Sequence, residues 1–298
     1  MSSIAFVTHD AQPGLTADDQ LAADELQRAG VAVEAVPWND PRADWGAYSA
    51  VVLRSCWDYH LRHAEFRRWV REVEGRGGAI VNPARSVLWN SDKRYLREME
   101  AHGAEIVPTE WVEPGASAGL AGILARRGWD RAVVKPAVSA LAHRTHLVTR
   151  ASAGADDPWA REHSGVDGTL VQPFVDEIVS EGEWSLLFFG GRFSHAVIKR
   201  PRAGDFRVQS TFGGSVEPSV PPPHVAEAAE RVVRLAEERT GAPLSFARVD
   251  GVVVDHRFLL MELELIEPAL FLEAHADAPA LFAAALLDRQ PSFRLAGV

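Results

Sequence analysis

Residues 248–268 read RVDGVVVDHRFLLMELELIEP, an apolar double run that nevertheless carries Asp250, Glu262, Glu264 and Glu267. The runs 247–254 and 258–265 have strand composition, and Asp255, His256 and Arg257 between them read as a three-residue hairpin loop. If Val254 lies opposite Phe258, Asp250 lies opposite Glu262, and the side-chain period of two puts Glu264 on that same face. Three carboxylates on one apolar patch repel one another unless partnered, and hard oxygen donors gathered this way suit magnesium. The competing reading is the solvated outer face of an antiparallel hairpin. Leu259, Leu260, Met261, Leu263 and Leu265 weigh against it, because they leave little of the second strand fit for water. The pairing depends on loop length, since a loop one residue shorter or longer shifts the register and breaks the convergence.

The rest of the chain bounds what such a hairpin belongs to. With 298 residues, 47% hydrophobic and 24% charged, it is globular and long enough for two or three lobes. A net charge of −10 and a pI near 5.6 argue against nucleic acid or an acidic membrane as partner. Cys56 is the single cysteine, which excludes an intrachain disulfide and a thiolate-rich metal site. The opening MSSIAFVTHD lacks a basic stretch ahead of its short apolar run, and no apolar run is long enough to span a bilayer, so a cytoplasmic protein is expected. Only three of the 31 basic residues are lysine: Lys93, Lys135 and Lys199. A chain that favours arginine yet keeps a lysine has a use for a compact ammonium there, as phosphate binding has; three leftover surface lysines are the plain alternative.

In chain order, strands are expected at 4–8, 31–36, 50–54 and 79–81, with helices at 17–29 and 64–74. Thr16 with Asp19 marks the start of the first helix. This β-α-β-β-α-β order predicts an open, mostly parallel α/β lobe over 1–90. The first turn, His9 to Gly14, has no Gly-x-Gly-x-x-Gly, so ordinary dinucleotide binding is not expected. Ligands bind at the C-terminal ends of strands in such sheets, which makes Thr8, His9, Asp10, Arg54 and Asp58 candidates for a substrate wall; ordinary loop polarity would also explain each of them. Cys56 has no activating base near it in sequence and reads as a packed thiol. Beyond Asn90 a helix is expected at 92–102 with Lys93 in its first turn. A strand follows at 106–109, then a buried strand ending in Lys135 and a small-residue loop at 137–142. A strand is expected at 145–148, an irregular loop or lid at 152–168, strands at 169–175 and 184–189, and helices at 224–240 and 278–287.

This order of parts resembles the ATP-grasp ligases: Lys93, Lys135 after a buried strand, Gln172-Pro173-Phe174-Val175 as a hinge, Gly182-Glu183 before the next strand, then Asp250 and Glu262-x-Glu264. The resemblance implies an α/β fold of three parts: the N-terminal open lobe at 1–90, a small central lid lobe at 91–178 and a C-terminal α+β lobe at 179–298. It implies that Lys93 and Lys135 contact ATP and that Gln172, Phe174 and Val175 hold the adenine. Glu183 or Asp176 would bind ribose, and Asp250, Glu262 and Glu264 two magnesium ions. Lys199 and Arg207, with Arg248 at the head of the hairpin, are the candidates for stabilising the γ-phosphate and an acyl phosphate. Two departures are visible: the family often has asparagine where Glu264 stands, and the loop after Lys135 lacks the usual glycines. The implied chemistry is phosphorylation of a substrate carboxylate, followed by attack of an amine-type nucleophile.

Within the superfamily, FVTHDAQPGL, VVLRSCWDY, GDFRVQSTFGG and MELELIEPALFL are similar to the D-cycloserine-forming cyclo-ligases. That implies intramolecular closure of O-ureido-D-serine, a small amino-acid-like substrate, with self-association into a homodimer left open. An intermolecular amino-acid or peptide ligase and a non-catalytic ATP-binding regulator are the alternatives.

Overall fold

A computed structural model describes residues 3–114, 116, 119–163, 167–208 and 212–288. Strands β1 (Ser3–Thr8), β2 (Ala32–Pro37), β3 (Ala50–Leu53) and β4 (Ile80–Val81) form a parallel sheet in the order β2-β1-β3-β4, with α1 (Ala17–Arg28) and α2 (His63–Gly75) as crossovers. The central strands β1 and β3 are apolar runs because both faces are covered, whereas β2 at the edge carries Glu34 and stays largely accessible. Ala5, Val7 and Val51 pack with Trp38, Phe66 and Trp69, while Ile4, Phe6 and Val52 pack with Leu26 and Phe282. Thr16 Oγ1 accepts the Asp19 amide at 3.0 Å, which starts α1 where its cap signal lies.

The connection that follows differs from its sequence reading. The helix expected at 92–102 is shortened to α4 (Tyr95–Ala101), and a separate, unexpected helix, α3 (Ala84–Asn90), precedes it. The Asp92 carboxylate accepts the Arg94 amide at 3.0 Å and its carbonyl accepts the Tyr95 amide at 3.1 Å, so Lys93 lies in a turn ahead of α4. The strand expected at 106–109 is a single bridge between Ile106 and Leu260, and β5 runs later, over Glu110–Val112.

With β5, the strands β6 (Arg131–Pro136), β7 (His146–Thr149) and β8 (Thr169–Pro173) make an antiparallel sheet in the order β5-β8-β6-β7. Helices α5 (Leu120–Arg127) and α6 (Ala153–His163) cover it, burying Ile123, Leu124 and Ala153 against Val134, Val148 and Val171. The irregular segment expected at 152–168 is therefore a helix over most of its described length. Gly154 and Pro158 obscure its helical pattern in the sequence.

After α7 (Glu177–Ser180), strands β9 (Glu183–Phe189), β10 (Arg192–Arg200), β11 (Ser215–Pro218), β12 (Phe246–Val254) and β13 (Arg257–Glu264) form a second antiparallel sheet in the order β11-β10-β9-β12-β13. Helix α8 (Pro223–Thr240) packs Val225, Ala229, Val232 and Ala236 on one face; α9 (Ala278–Asp288) and the N-terminal sheet share the other through Phe189, Phe246 and Phe282. Two asparagines fasten the N-terminal half to this sheet. Asn82 Nδ2 donates to the carbonyls of Phe246 (2.9 Å) and Leu265 (3.0 Å), and Asn90 exchanges bonds with Leu263 and Leu265. No helix among the described residues is long and apolar enough to cross a membrane.

The hairpin loop has two residues, not three. Val254 pairs with Arg257, and Asp255 and His256 between them have φ of 48° and 62°, the left-handed pair of a tight hairpin turn. Such a turn alone would slide the acids out of register. A bulge between Asp250 and Gly251 makes Met261 an extra residue on β13, and beyond it Asp250 again faces Glu262 and Arg248 faces Glu264. Gly251 permits this, since a Cβ there would lie 2.3 Å from the Phe258 ring and 2.6 Å from the Leu259 carbonyl oxygen.

Candidate active site

The restored register gathers charge on one face of β9, β10, β12 and β13. Asp250 accepts Ser185 Oγ at 2.6 Å, Arg248 Nε at 3.0 Å and Arg248 Nη2 at 2.9 Å, and pairs with Lys199 at 3.3 Å. Lys199 also pairs with Glu183 at 2.5 Å, and Arg248 reaches on to Glu264. Lys93 crosses from the turn before α4 to pair with Glu262 at 2.8 Å and to donate to the Ser139 carbonyl in the loop after β6. Lys135 acts on Glu262 electrostatically. All three lysines of the chain thus surround the acidic face.

The titration shifts show how far these charges compensate. Burial alone would raise Asp250, yet Arg248 and Lys199 bring its carboxyl down to about 2. Glu262 is likewise lowered against its burial by Lys93 and Lys135. Glu264 moves the other way. Burial raises it to about 7, with Arg248 opposing and Asp250 and Glu262 adding to the rise. Burial also raises Glu183, against Lys199, and lowers Lys135, with Lys93 adding to the fall. Four cations, Lys93, Lys135, Lys199 and Arg248, stand against four carboxylates on this face, yet Glu264 stays raised, so the compensation is uneven.

That unevenness is what a divalent cation would relieve, and carboxylate oxygens are the donors magnesium takes. Among the described residues no three His, Cys, Asp or Glu side chains are arranged as a ready cage. Asp250 is fully engaged by Ser185, Lys199 and Arg248, and would join a metal only by exchanging one of them. Glu262 and Glu264, with side chains 32% and 23% exposed, hold the open oxygens, so the donor set fits magnesium with those two in the lead.

Beside the acids, the segment after β8 borders a small apolar cluster of Val107, Val175, Ile178, Val208, Val252 and Met261. Gln172 is buried and donates to Thr109 Oγ1 at 2.9 Å, and the Phe174 ring lies under the Arg131 guanidinium at 4.2 Å. Asp176 is exposed and paired with Arg131 at 2.5 Å, whereas Glu183 lies in the charged network. Val107 and Met261 carried no signal in the sequence; Met261 reaches this cluster through the bulge.

The proposed substrate wall is only partly at the surface. Thr8 is buried, with Oγ1 donating to the Pro13 carbonyl at 3.1 Å. Arg54 is 2% exposed, pairs with Asp19 at 2.7 Å and donates to the Pro268 carbonyl at 3.0 Å, so it braces the fold, while its Nη1 is buried without a hydrogen-bond partner among the described residues. Asp58 accepts Trp38 Nε1 at 2.8 Å, and Asp10 is exposed beside Asn39. His9 contacts the Ser55 carbonyl through Nδ1 at 2.7 Å, and its ring lies 6.2 Å from Trp57. Cys56 is buried, and burial raises its thiol well above the usual range, as expected of a packing residue. Arg207 is not brought to the acids: Asp205 holds it at 2.8 Å and its guanidinium stacks on Phe212, 3.7 Å from the ring centre. Gln209, in the same motif, lies outside the described residues.

Comparison with known proteins extends this geometry to the whole chain. Residues 4–82 match the family described as D-cycloserine synthetase DcsG, N-terminal domain. The chain is 31% identical over 297 residues to the cycloserine biosynthesis protein DcsG of Streptomyces lavendulae, covering 97% of this chain and 99% of that one. The crystal structure of D-cycloserine synthetase DcsG superposes with a TM-score of 0.89 at 28% identity, covering 97% of this chain and 100% of that chain. D-alanine–D-alanine ligase from Bacillus anthracis shares the fold, with a TM-score of 0.68 at 15% identity, covering 99% and 98% of the two chains. The ATP-grasp ligase PsnB, solved with a precursor, Mg and ADP, gives 0.63 at 15% identity, covering 96% and 98%.

Proposed function

Because the chain belongs to the D-cycloserine synthetase family of ATP-grasp ligases, we propose that it uses ATP to activate the carboxylate of O-ureido-D-serine and closes the isoxazolidinone ring of D-cycloserine within the same molecule. The observation that carries this reading is the convergence of Lys93, Lys135 and Lys199 on the face formed by Glu183, Asp250, Glu262 and Glu264. The three sheets support a division into lobes at 1–90, 91–178 and 179–298.

Gln172, Phe174 and Val175 line the adenine side, with Val107 and Met261 as apolar partners, and Glu183 is better placed than Asp176 to meet the ribose. Lys93 and Lys135 hold the phosphates. Glu262 and Glu264, with Asp250 behind them, would hold two magnesium ions, which when bound offset charge on the transferred phosphoryl oxygens. Lys199 and Arg248 lie beside those acids and stabilise the acyl phosphate. Arg207 reaches the reacting phosphate only by leaving Asp205. The γ-phosphoryl passes to a carboxylate oxygen and ADP leaves. The ureido nitrogen then attacks the acyl carbon, loses a proton and expels phosphate. The carbamoyl group still on that nitrogen is removed by one water as carbamate.

ADP release measured against a panel of amino acids, with and without added amines, tests the proposal. Turnover on O-ureido-D-serine alone is expected. Release only with a second amino acid would sink cyclisation in favour of an intermolecular ligase, and no release with any candidate would favour an ATP-binding regulator.

A further inference from the structure

Glu267 is the acid of the opening sequence that the site has not used. It lies three residues beyond the hairpin, 7% exposed, among Glu262, Glu264, Cys56 and Tyr59, whose titrations it influences or which influence its own. Its backbone is pinned: the Glu267 carbonyl accepts Trp57 Nε1 at 3.2 Å and the next carbonyl, of Pro268, accepts Arg54 Nη2 at 3.0 Å. The Glu267 backbone is therefore held beside the segment that follows β3.

Each neighbouring acid is paired with a cation: Lys199 is shared by Asp250 and Glu183, Arg248 by Asp250 and Glu264, and Lys93 pairs with Glu262. For the Glu267 carboxylate, no other residue among the described ones forms an ion pair or a side-chain hydrogen bond, and Lys93 acts on it only through its field. A buried carboxylate is costly unless something compensates it. Within the described residues its compensation is limited to its own backbone amide and the field of Lys93, and burial still raises it, so a cationic group on a ligand would complete the compensation. In parallel sheets of this kind ligands are taken at the C-terminal ends of the strands, the side of β3 on which Trp57 and Arg54 hold this segment.

We propose that Glu267 is the recognition site for the cationic amino group of the substrate, pairing with the α-ammonium of the amino acid whose carboxylate is phosphorylated at the neighbouring acids. This rests on the ligase reading above. It makes the pocket selective for amino acids over plain carboxylic acids and fixes the carboxylate relative to the phosphates, so Glu267 acts as a positioning and specificity residue.

The test compares O-ureido-D-serine with 3-(ureidooxy)propanoate, the same molecule without its α-amino group, on the wild type, Glu267→Gln and Glu267→Asp. In the wild type, losing the amino group should lower kcat/KM by roughly tenfold to a hundredfold, as for a lost hydrogen bond to a charged group. In Glu267→Gln the two substrates should become nearly equal, with KM for ATP and the magnesium requirement unchanged, and Glu267→Asp should recover part of the preference. A preference that survives in Glu267→Gln, or a magnesium requirement that shifts with it, overturns the proposal. Equilibrium binding of the two compounds to the wild type covers a variant that fails to fold, and equal affinities there also overturn it. If the wild type turns over neither compound, the ligase reading itself has failed, a result distinct from either outcome.

Discussion

Two buried charge clusters in this chain use similar residues to opposite ends. At Arg54 and Asp19 both side chains are 2% exposed, the pair is 2.7 Å long, and the guanidinium also meets the Pro268 carbonyl and the Phe246 and Phe282 rings, while its Nη1 is buried without a hydrogen-bond partner among the described residues. That cluster sets one charge against one and is shut away from water. On the hairpin face four cations meet four carboxylates, yet Glu262 and Glu264 keep open oxygens and Glu264 is pushed up to about 7. Burial therefore does not mark a site by itself; charge that the protein leaves unfinished does.

The largest break in this contrast should come from Glu262→Gln. It keeps the side-chain shape and removes a charge from the open cluster, so turnover should fall by at least about a hundredfold while cooperative unfolding is retained. Near-normal ADP release would remove Glu262 from the metal-binding set. Arg54→Met should do the reverse. It leaves Asp19 as an uncompensated buried charge and should cost about 3–5 kcal/mol in denaturant unfolding, with KM for ATP unchanged in whatever protein remains folded. A loss under about 1 kcal/mol would show that the pair is not the closed brace described.

A smaller effect tests the open cluster through pH. Glu264 is raised in the folded protein, so its favourable contribution is full below the ordinary glutamate range and is lost as pH rises through about 7. The metal-free wild type should thus lose on the order of 1–3 kcal/mol relative to Glu264→Gln between about pH 4 and pH 8. A difference between the two proteins that does not change with pH would contradict the shift. Magnesium with nucleotide should reduce the loss, because the ionised form then gains a partner. The smallest effect is expected at Arg207, where an exposed pair with Asp205 is worth about 0–1 kcal/mol. Arg207→Gln should leave the unfolding midpoint almost unmoved, and if Arg207 joins the reacting phosphate, kcat should still fall about tenfold or more; unchanged kcat would limit it to the surface.

How much of this the sequence revealed varies with what each residue depends on. The parallel N-terminal sheet was legible because its central strands are apolar runs and α1 has its Thr16 cap. The pairing of Asp250 with Glu262 was inferred from a three-residue loop. It holds through a two-residue loop and a bulge, two departures that offset each other and that no local pattern announces. The bracing role of Arg54 was not legible because its partners, Asp19 and Pro268, lie far away in sequence and only the folded chain brings them together. Helix α6 was missed because Gly154 and Pro158 are locally unfavourable and only packing on the β6–β8 sheet sustains the helix. Glu267 was noticed as an acid, but its lack of a partner is a property of the packed interior and has no sequence signature.

The bulge at Met261 also bears on how such a chain can drift over generations. Turn length and bulge together set the register: with a two-residue turn, the one unpaired residue on β13 puts Glu262 opposite Asp250 and Glu264 opposite Arg248. Deleting Met261 would remove the bulge and bring Leu260 and Glu262 into consecutive pairs with Gly251 and Asp250, leaving every acid on its face, whereas one further residue accommodated without a second bulge would turn the acids beyond it to the other side. A lineage can therefore shed the bulge in a single step and keep its acids in register, but cannot lengthen the strand by one residue as freely.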